Sequence, residues 1–372
     1  MSLKRKIVLA VGGTGGHLFP AQALARQLRD RNVPVQVLFM GAGLSCSRYF
    51  SSREFPAIDI ESATLSGRRF LSLFRSCKRL LKGTWQSMRQ LKKERPALVI
   101  GFGSFHAFPV LLAAVLCGIP IILFESNAIP GKVNRFFSRW AAWTAVQFEE
   151  AKKHIKGKVV IVEMPLWDKD RIATSMREDA ARYFNLREDI KTVLVFGGSQ
   201  GARSINRLFC QAMRAWEGRP LLQVIHLTGD VASCHEALLC YRRLGIPAQV
   251  KVFEDRMPLA WRMADLAVCR SGAGTMAELL SYQVPALLIP YPQAADNHQL
   301  HNARIMADKI GGAVVVEEGA LSSECLGKEL KRILDVQGKK ILEMQDSIKH
   351  FQKTTQRHEL FSLVERMIEA IC

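Results

Sequence analysis

Runs of apolar residues unbroken by polar alternation recur along the chain, at residues 7–11, 35–39, 98–100 and 121–124, and again at 193–196, 223–227, 249–253, 266–268 and 286–289. A run that is apolar at every position is buried on both faces, the condition of a strand in a parallel sheet covered by helices. Helical patterns fill the intervals, so the pattern predicts an α/β fold. The two halves echo each other. KIVLAVGGTGG near the start and KTVLVFGGSQG in the middle each pass from an apolar strand through a glycine pair into a helix. GIPIILFESN and QVPALLIPYPQ each give an X-Pro step, an apolar strand and polar residues at its carboxyl end. The repetition reads as two Rossmann-like units with parallel sheets facing across a cleft, onto which the strand carboxyl ends that bind ligands in α/β folds would open. The seam is expected near residues 165–171, giving domains of 1–165 and 166–345. Residues 346–372 form a charged amphipathic helical pattern with Phe351, Leu360, Leu363, Met367 and Ile371, which either caps its own domain or crosses back to the first.

The chain has 372 residues, 48% hydrophobic and 23% charged, which is globular composition and excludes wholesale disorder, collagen-like repeats and disulfide-stapled miniproteins. The longest apolar stretch, residues 107–124, is interrupted by Gly118 and Pro120. It reads as a buried helix over 110–117, a stop and a strand, so no transmembrane helix is expected. The basic start and apolar run of MSLKRKIVLAV resemble a signal peptide, but the run ends at Val11, too soon for a signal core. Nine cysteines with no CxxC, several inside apolar runs, suit buried free thiols in a reducing compartment. A cytoplasmic location follows.

Charge changes the picture most. The formal net charge is +18, and residues 1–165 hold 25 Lys+Arg against 9 Asp+Glu while residues 166–372 hold 27 against 25. Such an excess points to a polyanionic partner of the first half. Residues 67–95 concentrate it, with ten basic side chains and Glu94 as the single acid. In the same segment Leu71, Phe74, Cys77, Leu81, Trp85, Met88 and Leu91 recur at helical spacing. This suits an anionic membrane surface. It also suits a core-packed helix with a solvated basic back, the reading favoured for the stripe itself, and the expectation is mixed, with the stripe packed inward and Arg68–Phe70 and Leu73 at the lipid.

Three glycine loops and one amide cluster could carry chemistry. Gly12-Gly13-Thr14-Gly15-Gly16-His17 joins a strand to a helix, where glycines admit a ligand and the helix N-terminus favours an anion; an unliganded tight turn is the plain alternative. The spacing is not G-x-G-x-x-G, and Met40-Gly41-Ala42-Gly43 closes the second strand without an acid, which argues against a nicotinamide dehydrogenase. His17 could take a proton from a hydroxyl at neutral pH or could simply serve the turn. Gly197-Gly198-Ser199-Gln200-Gly201 offers backbone N–H groups and a hydroxyl to a diphosphate. Arg270-Ser271-Gly272-Ala273-Gly274-Thr275 precedes a helix bearing Glu278, a carboxylate able to accept both hydroxyls of a ribose or to serve as a favourable acid in a first turn. The amides from Gln293 to Gln299 suit sugar hydroxyls or an ordinary polar loop.

Together and in this order, GGTGGHxxPA, GGSQGARxxN, CRSGAxTxxE and DxxQxxNA closely resemble the MurG family of peptidoglycan N-acetylglucosaminyltransferases over nearly the whole chain. The resemblance implies a GT-B fold with the acceptor in the first domain and UDP-N-acetylglucosamine mostly in the second. It implies transfer of N-acetylglucosamine, with inversion, onto the C4 hydroxyl of undecaprenyl-pyrophosphoryl-MurNAc-pentapeptide (lipid I to lipid II), at the cytoplasmic face of the inner membrane. By motif, Thr14, Gly15, Gly16 and His17 border the reacting sugars, and Asn127 matches the asparagine of an HEQN-type segment. Ser199 contacts the donor diphosphate. Phe253-Glu254-Asp255 is the segment whose backbone recognises uracil. Ala273, Gly274, Thr275, Met276, Ala277 and Glu278 form the donor loop with Glu278 on the ribose, and Gln299 touches the sugar.

Three departures stand out. GNPVR is here Glu163-Met164-Pro165-Leu166-Trp167, so the donor-contacting arginine is absent, with Arg171 a substitute to consider. GxGGYxS reads Gly101-Phe102-Gly103-Ser104-Phe105-His106, and HEQN reads Phe124-Glu125-Ser126-Asn127. No protein-held metal is expected, only Mg²⁺ loosely bound to the diphosphate. His17 is the expected base. The rivals are another UDP-sugar transferase, such as a glycolipid synthase, and a nucleic-acid-binding protein; no RNP, helix-turn-helix or zinc signature supports the latter.

Overall fold

The computed structural model describes residues 5–64, 70–167, 176–198, 201–334 and 337–371. The chain divides into two compact units, Met1–Trp167 with Arg357–Cys372, and Asp168–Gln356. In the first, strands β1 (Arg5–Gly12), β2 (Val35–Ala42), β3 (Ala57–Asp59), β4 (Leu98–Gly101), β5 (Ile121–Glu125), β6 (Trp143–Val146) and β7 (Val159–Glu163) are joined by helices α1 (Gly15–Asp30), α2 (Phe70–Glu94), α3 (Phe108–Leu116) and α4 (Lys132–Phe137). In the second, β8 (Lys191–Phe196), β9 (Leu222–Leu227), β10 (Ala248–Lys251), β11 (Leu266–Cys269), β12 (Ala286–Leu288) and β13 (Ala313–Val315) alternate with α5 (Arg177–Phe184), α6 (Arg203–Ala215), α7 (Val231–Leu244), α8 (Met257–Met263), α9 (Ala273–Tyr282), α10 (His298–Arg304), α11 (Ser323–Ile333) and α12 (Lys339–Thr354).

The chain then returns to the first unit as β14 (His358–Glu359), which pairs with β7, and α13 (Leu360–Ala370). Arg31 meets Glu359 at 2.9 Å and lies over the Phe361 ring, and Arg5 donates to the Ile368 carbonyl at 2.8 Å. The segment whose destination sequence left open thus crosses back, while α12 stays with the second unit.

All pairings among the described strands are parallel, in the orders β14-β7-β6-β5-β4-β1-β2-β3 and β10-β9-β8-β11-β12-β13. The unbroken apolar runs are the central strands, as parallel sheets covered on both faces require; Ile7 to Val11 and Leu266 to Cys269 are wholly buried. At the edges the pattern is looser. The strand expected at 249–253 ends at Lys251, and Phe253 turns out to solvent.

Helix α2 corrects the expectation that its large apolar stripe packs inward. Phe74, Leu81 and Trp85 are 65%, 69% and 62% exposed, and Cys77 is exposed with them. The buried face is Leu80, Gly83, Thr84, Ser87 and Leu91. Small residues face inward because the helix lies close to its neighbours: a Cβ on Gly83 would run into the Glu61 carbonyl and reach within 3.3 Å of Pro109 Cβ on α3. The expected lipid contacts Arg68, Arg69 and the side chains of Phe70 and Leu73 lie outside the described residues. No helix among the described residues is long and apolar enough to cross a membrane.

Ala in place of Gly normally gains a helix about 1 kcal/mol. For Gly83→Ala the opposite sign is expected, a loss of about 1–3 kcal/mol from overpacking against backbone, read as a lower midpoint in denaturant unfolding.

Candidate functional site

In each unit the chemistry-bearing residues sit on turns at the carboxyl edge of the sheet, where strands end and helix N-termini begin. In the first unit β1 ends at Gly12, and Thr14 is the N-cap residue of α1 in extended conformation, leaving the first-turn N–H groups without a side-chain cap. Thr14 Oγ1 instead lies 2.9 Å from His17 Nδ1 and orients that ring. Gly15 is buried against Phe19, while a Cβ on Gly16 would meet nothing within 4 Å, so this backbone borders open space.

The loop after β4 comes up beside it. A Cβ on Gly103 would stand 3.6 Å from His17 Nε2 and 3.3 Å from Asn134 Nδ2. Ser104, where the resembled family has glycine, holds φ +73° and ψ 143°. A non-glycine residue held there costs about 1–3 kcal/mol. Its hydroxyl offsets part of this by accepting from His106 N at 3.2 Å.

Glu125, at the end of β5, organises the remaining loop. Its carboxylate accepts from Asn127 N and Gly131 N at 2.9 Å each, from Asn134 Nδ2 at 2.9 Å and from Asn127 Nδ2 at 3.3 Å. Burial still pushes its pKa up, against the pull of these bonds. Asn127 is therefore held by its neighbour two residues back. Trp167, at the position of the missing arginine, lies under the Arg26 guanidinium at 3.5 Å and edge-on to Phe19. Arg26 is itself bidentate to Glu54 at 2.8 and 2.6 Å. Arg171 lies outside the described residues.

In the second unit the loop between β8 and α6 turns on Gly198 and Gly201, both at positive φ, with Gly201 N bonded to Gly198 O at 2.9 Å. Ser199 lies outside the described residues. After β11, Gly272 caps α9 without a side chain, leaving the N–H groups of its first turn, Ala273 to Thr275, at the helix end. Met276 and Ala277 point into the core. Burial pushes the Glu278 carboxyl up to about 7, opposed only by the indole N–H of Trp261. Ser271 Oγ donates to Gln299 O at 2.7 Å and Asn302 Nδ2 to Ser271 O at 3.2 Å, joining the loop to α10; Gln299 Oε1 accepts from Tyr291 N at 3.0 Å. The Glu254 side chain is nearly buried on Lys251 Nζ at 2.6 Å, Arg256 N at 2.7 Å and the Tyr183 hydroxyl at 3.1 Å. Burial raises its pKa, but Lys251 and these donors leave it lowered overall. Its side chain thus serves the turn.

Sequence reasoning missed three groups. Glu125 and Asn134 are the framework of the Asn127 loop. The third is a clasp: the largely buried Arg270 guanidinium donates to Glu318 at 2.9 and 3.2 Å and to the Ile289 and Pro290 carbonyls at 3.1 Å, while Ser204 donates to Glu318 at 2.7 Å. It ties the start of α6 and the ends of β11 and β12 together. Arg270 beside the glycine loop was a visible signal, but Glu318 carries none in sequence. Among the described residues no group of three or more His, Cys, Asp or Glu side chains is placed to hold a metal ion.

Comparison with known proteins covers both units. Residues 7–146 match the glycosyltransferase family 28 N-terminal domain and residues 192–359 its C-terminal domain. A UDP-N-acetylglucosamine–N-acetylmuramyl-(pentapeptide) pyrophosphoryl-undecaprenol N-acetylglucosamine transferase from Protochlamydia amoebophila is 38% identical over 90% of this chain and 88% of its own. One of the same name from Halothermothrix orenii is 36% identical over 97% and 98%. Among solved structures, MurG of Acinetobacter baumannii is 25% identical with a TM-score of 0.77, covering 98% of this chain and 99% of that one. A UDP-glucose:anthocyanidin 3-O-glucosyltransferase in complex with UDP, 15% identical at a TM-score of 0.67 over both whole chains, shares the fold alone.

Proposed function

The chain belongs to glycosyltransferase family 28, alongside the MurG transferases, and on that premise we propose that it transfers N-acetylglucosamine from UDP-N-acetylglucosamine to the C4 hydroxyl of MurNAc in undecaprenyl-pyrophosphoryl-MurNAc-pentapeptide. The observation that carries this reading is that both units match full-length relatives bearing this activity in their names, in order and at 36–38% identity.

In the proposed mechanism the acceptor oxygen attacks the anomeric carbon as the bond from that carbon to the diphosphate oxygen breaks on the opposite face, inverting the centre. In the tautomer whose Nδ1–H donates to Thr14 Oγ1, Nε2 would be the nitrogen that takes the hydroxyl proton. The departing UDP gains negative charge, which backbone N–H groups at the N-terminus of α9 are suited to stabilise. Glu278 would accept from the ribose hydroxyls. Trp167 on Arg26 leaves no arginine at the position where the family has one, so the diphosphate would rest more on those N–H groups. Any Mg²⁺ would arrive on the donor diphosphate.

The lipid-linked acceptor gives the exposed face of α2 a role. Phe74, Leu81 and Trp85 stand out among Arg75, Lys78, Arg79, Lys82 and Arg89, an apolar-basic face suited to peripheral docking on an anionic bilayer at the cytoplasmic side.

The deciding measurement is UDP release from UDP-N-acetylglucosamine with and without muramoyl-lipid, with a diacylglycerol control. Release that depends on muramoyl-lipid is expected; release supported by diacylglycerol alone would replace the acceptor assignment. His17→Ala should lower turnover about 10²–10⁴-fold while the protein stays folded, and unchanged turnover removes His17 as the base.

Because the Glu278 carboxyl titrates near 7, its accepting form predominates above that pH. Donor affinity should hold above pH 7 and fall by up to about tenfold per unit as pH drops below it, a slope that Glu278→Gln abolishes in calorimetric titration with UDP.

Sedimentation with phosphatidylglycerol vesicles should far exceed that with phosphatidylcholine vesicles. Reversing Arg75 and Lys78 to Glu should cut it by at least about tenfold, each charge near the surface contributing about 1 kcal/mol.

A further inference from the structure

Among the buried polar groups of the second unit, one chain of side chains runs from α7 through β9 to α6. His226, on β9, is wholly buried, with Tyr241 on α7 and Asn206 on α6 almost so. His226 Nδ1 lies 2.7 Å from the Tyr241 hydroxyl and Nε2 lies 3.1 Å from Asn206 Oδ1, while Asn206 Nδ2 donates to the Thr228 carbonyl at 2.9 Å. These distances fix every proton. Since the Asn206 amide nitrogen is the group that donates to Thr228, its oxygen must accept, so His226 Nε2 carries the hydrogen. Nδ1 is then bare and accepts from Tyr241. The order is Tyr241 O–H to His226, His226 N–H to Asn206, Asn206 N–H to the Thr228 carbonyl. Burial holds the imidazole neutral, with its pKa pushed down to about 3.

Burying four polar groups among Val193, Phe209 and Cys240 gains nothing over apolar packing unless the arrangement specifies something. Its end shows what. The Thr228 carbonyl is the surface on which Gly201 lies: a Cβ there would come within 2.5 Å of that oxygen and 2.9 Å of Gly229 Cα. Asn206 itself sits in the opening turns of α6, the helix that this same loop leads into.

We propose that Tyr241, His226 and Asn206 form a positioning relay that fixes Gly201 and the opening turn of α6 for the donor diphosphate. The inference rests on the functional reading above only for the identity of the ligand. His226→Phe keeps the ring and removes both polar ends. His226→Gln can place an N–H near Nε2 and restore the link to Asn206.

The test measures amide hydrogen exchange over residues 201–206 and KM for each substrate in the wild type and both variants. In His226→Phe, exchange over 201–206 should quicken and KM for UDP-N-acetylglucosamine rise about tenfold, the consequence of one unpaired buried amide, with KM for muramoyl-lipid unchanged. His226→Gln should restore both. A purely structural role predicts a lower unfolding midpoint with both KM values unmoved, or moved together, and that result overturns the relay, as does unchanged exchange in His226→Phe. If His226→Phe does not fold, Tyr241→Phe, which deletes one hydroxyl at the far end, is judged by the same readings with a smaller shift in the same direction. A wild-type protein that turns over no UDP-N-acetylglucosamine would refute the functional reading, and the exchange data would still decide the relay.

Discussion

Backbone approaching backbone at the carboxyl edge of each sheet is the constraint on which the rest depends. On β2, Gly41 lies so close to the Val11 carbonyl of β1 that no Cβ fits, and in the second unit Gly201 meets Thr228 in the same way. Such contacts bring loops from different strands to one edge, where the helix N-termini gather their first-turn N–H groups. The aromatic and aliphatic cores on either side are generous by comparison, since many apolar side chains would fill them.

Two carboxylates divide the labour at that edge, Glu125 buried and Glu278 half-buried. Glu125 is encircled by protein donors and spends its lone pairs on its own loop, which makes it a framework group despite its charge. Glu278 is opposed by a single indole N–H and stays poised near neutrality, so its acceptor capacity remains for a ligand. Burial alone does not separate these roles; the census of donors does.

Much of this was legible in the chain itself. Strands such as β1, β5, β8 and β11 announce themselves because a covered parallel strand has no polar face to interrupt it. Strands β3, β13 and β14 do not, being three, three and two residues long and dependent on neighbours for their hydrogen bonds. The glycine turns were visible because glycine at a strand end has few other uses. The inward face of α2 was not, because side-chain size is a poor guide where close helix packing demands Gly83, Thr84 and Ser87 and drives Leu81 and Trp85 outward. Partners far apart in sequence were equally hidden: Arg270 and Glu318 are 48 residues apart, and nothing local in either betrays the other.

The return of β14 and α13 to the first unit has a consequence for biosynthesis. Arg5 near one end of the chain bonds to Ile368 near the other, and Leu360, Phe361, Val364 and Ile368 are buried there. The first unit therefore lacks part of its hydrophobic closure until residues 360–368 have been made, whereas every residue of the second unit has been made by Gln356. Domains ordinarily complete themselves from the amino terminus onward. Here the order of completion along the chain is inverted, because residues 168–356 of the second unit are all made before residues 357–371 supply the first unit's closing strand and helix.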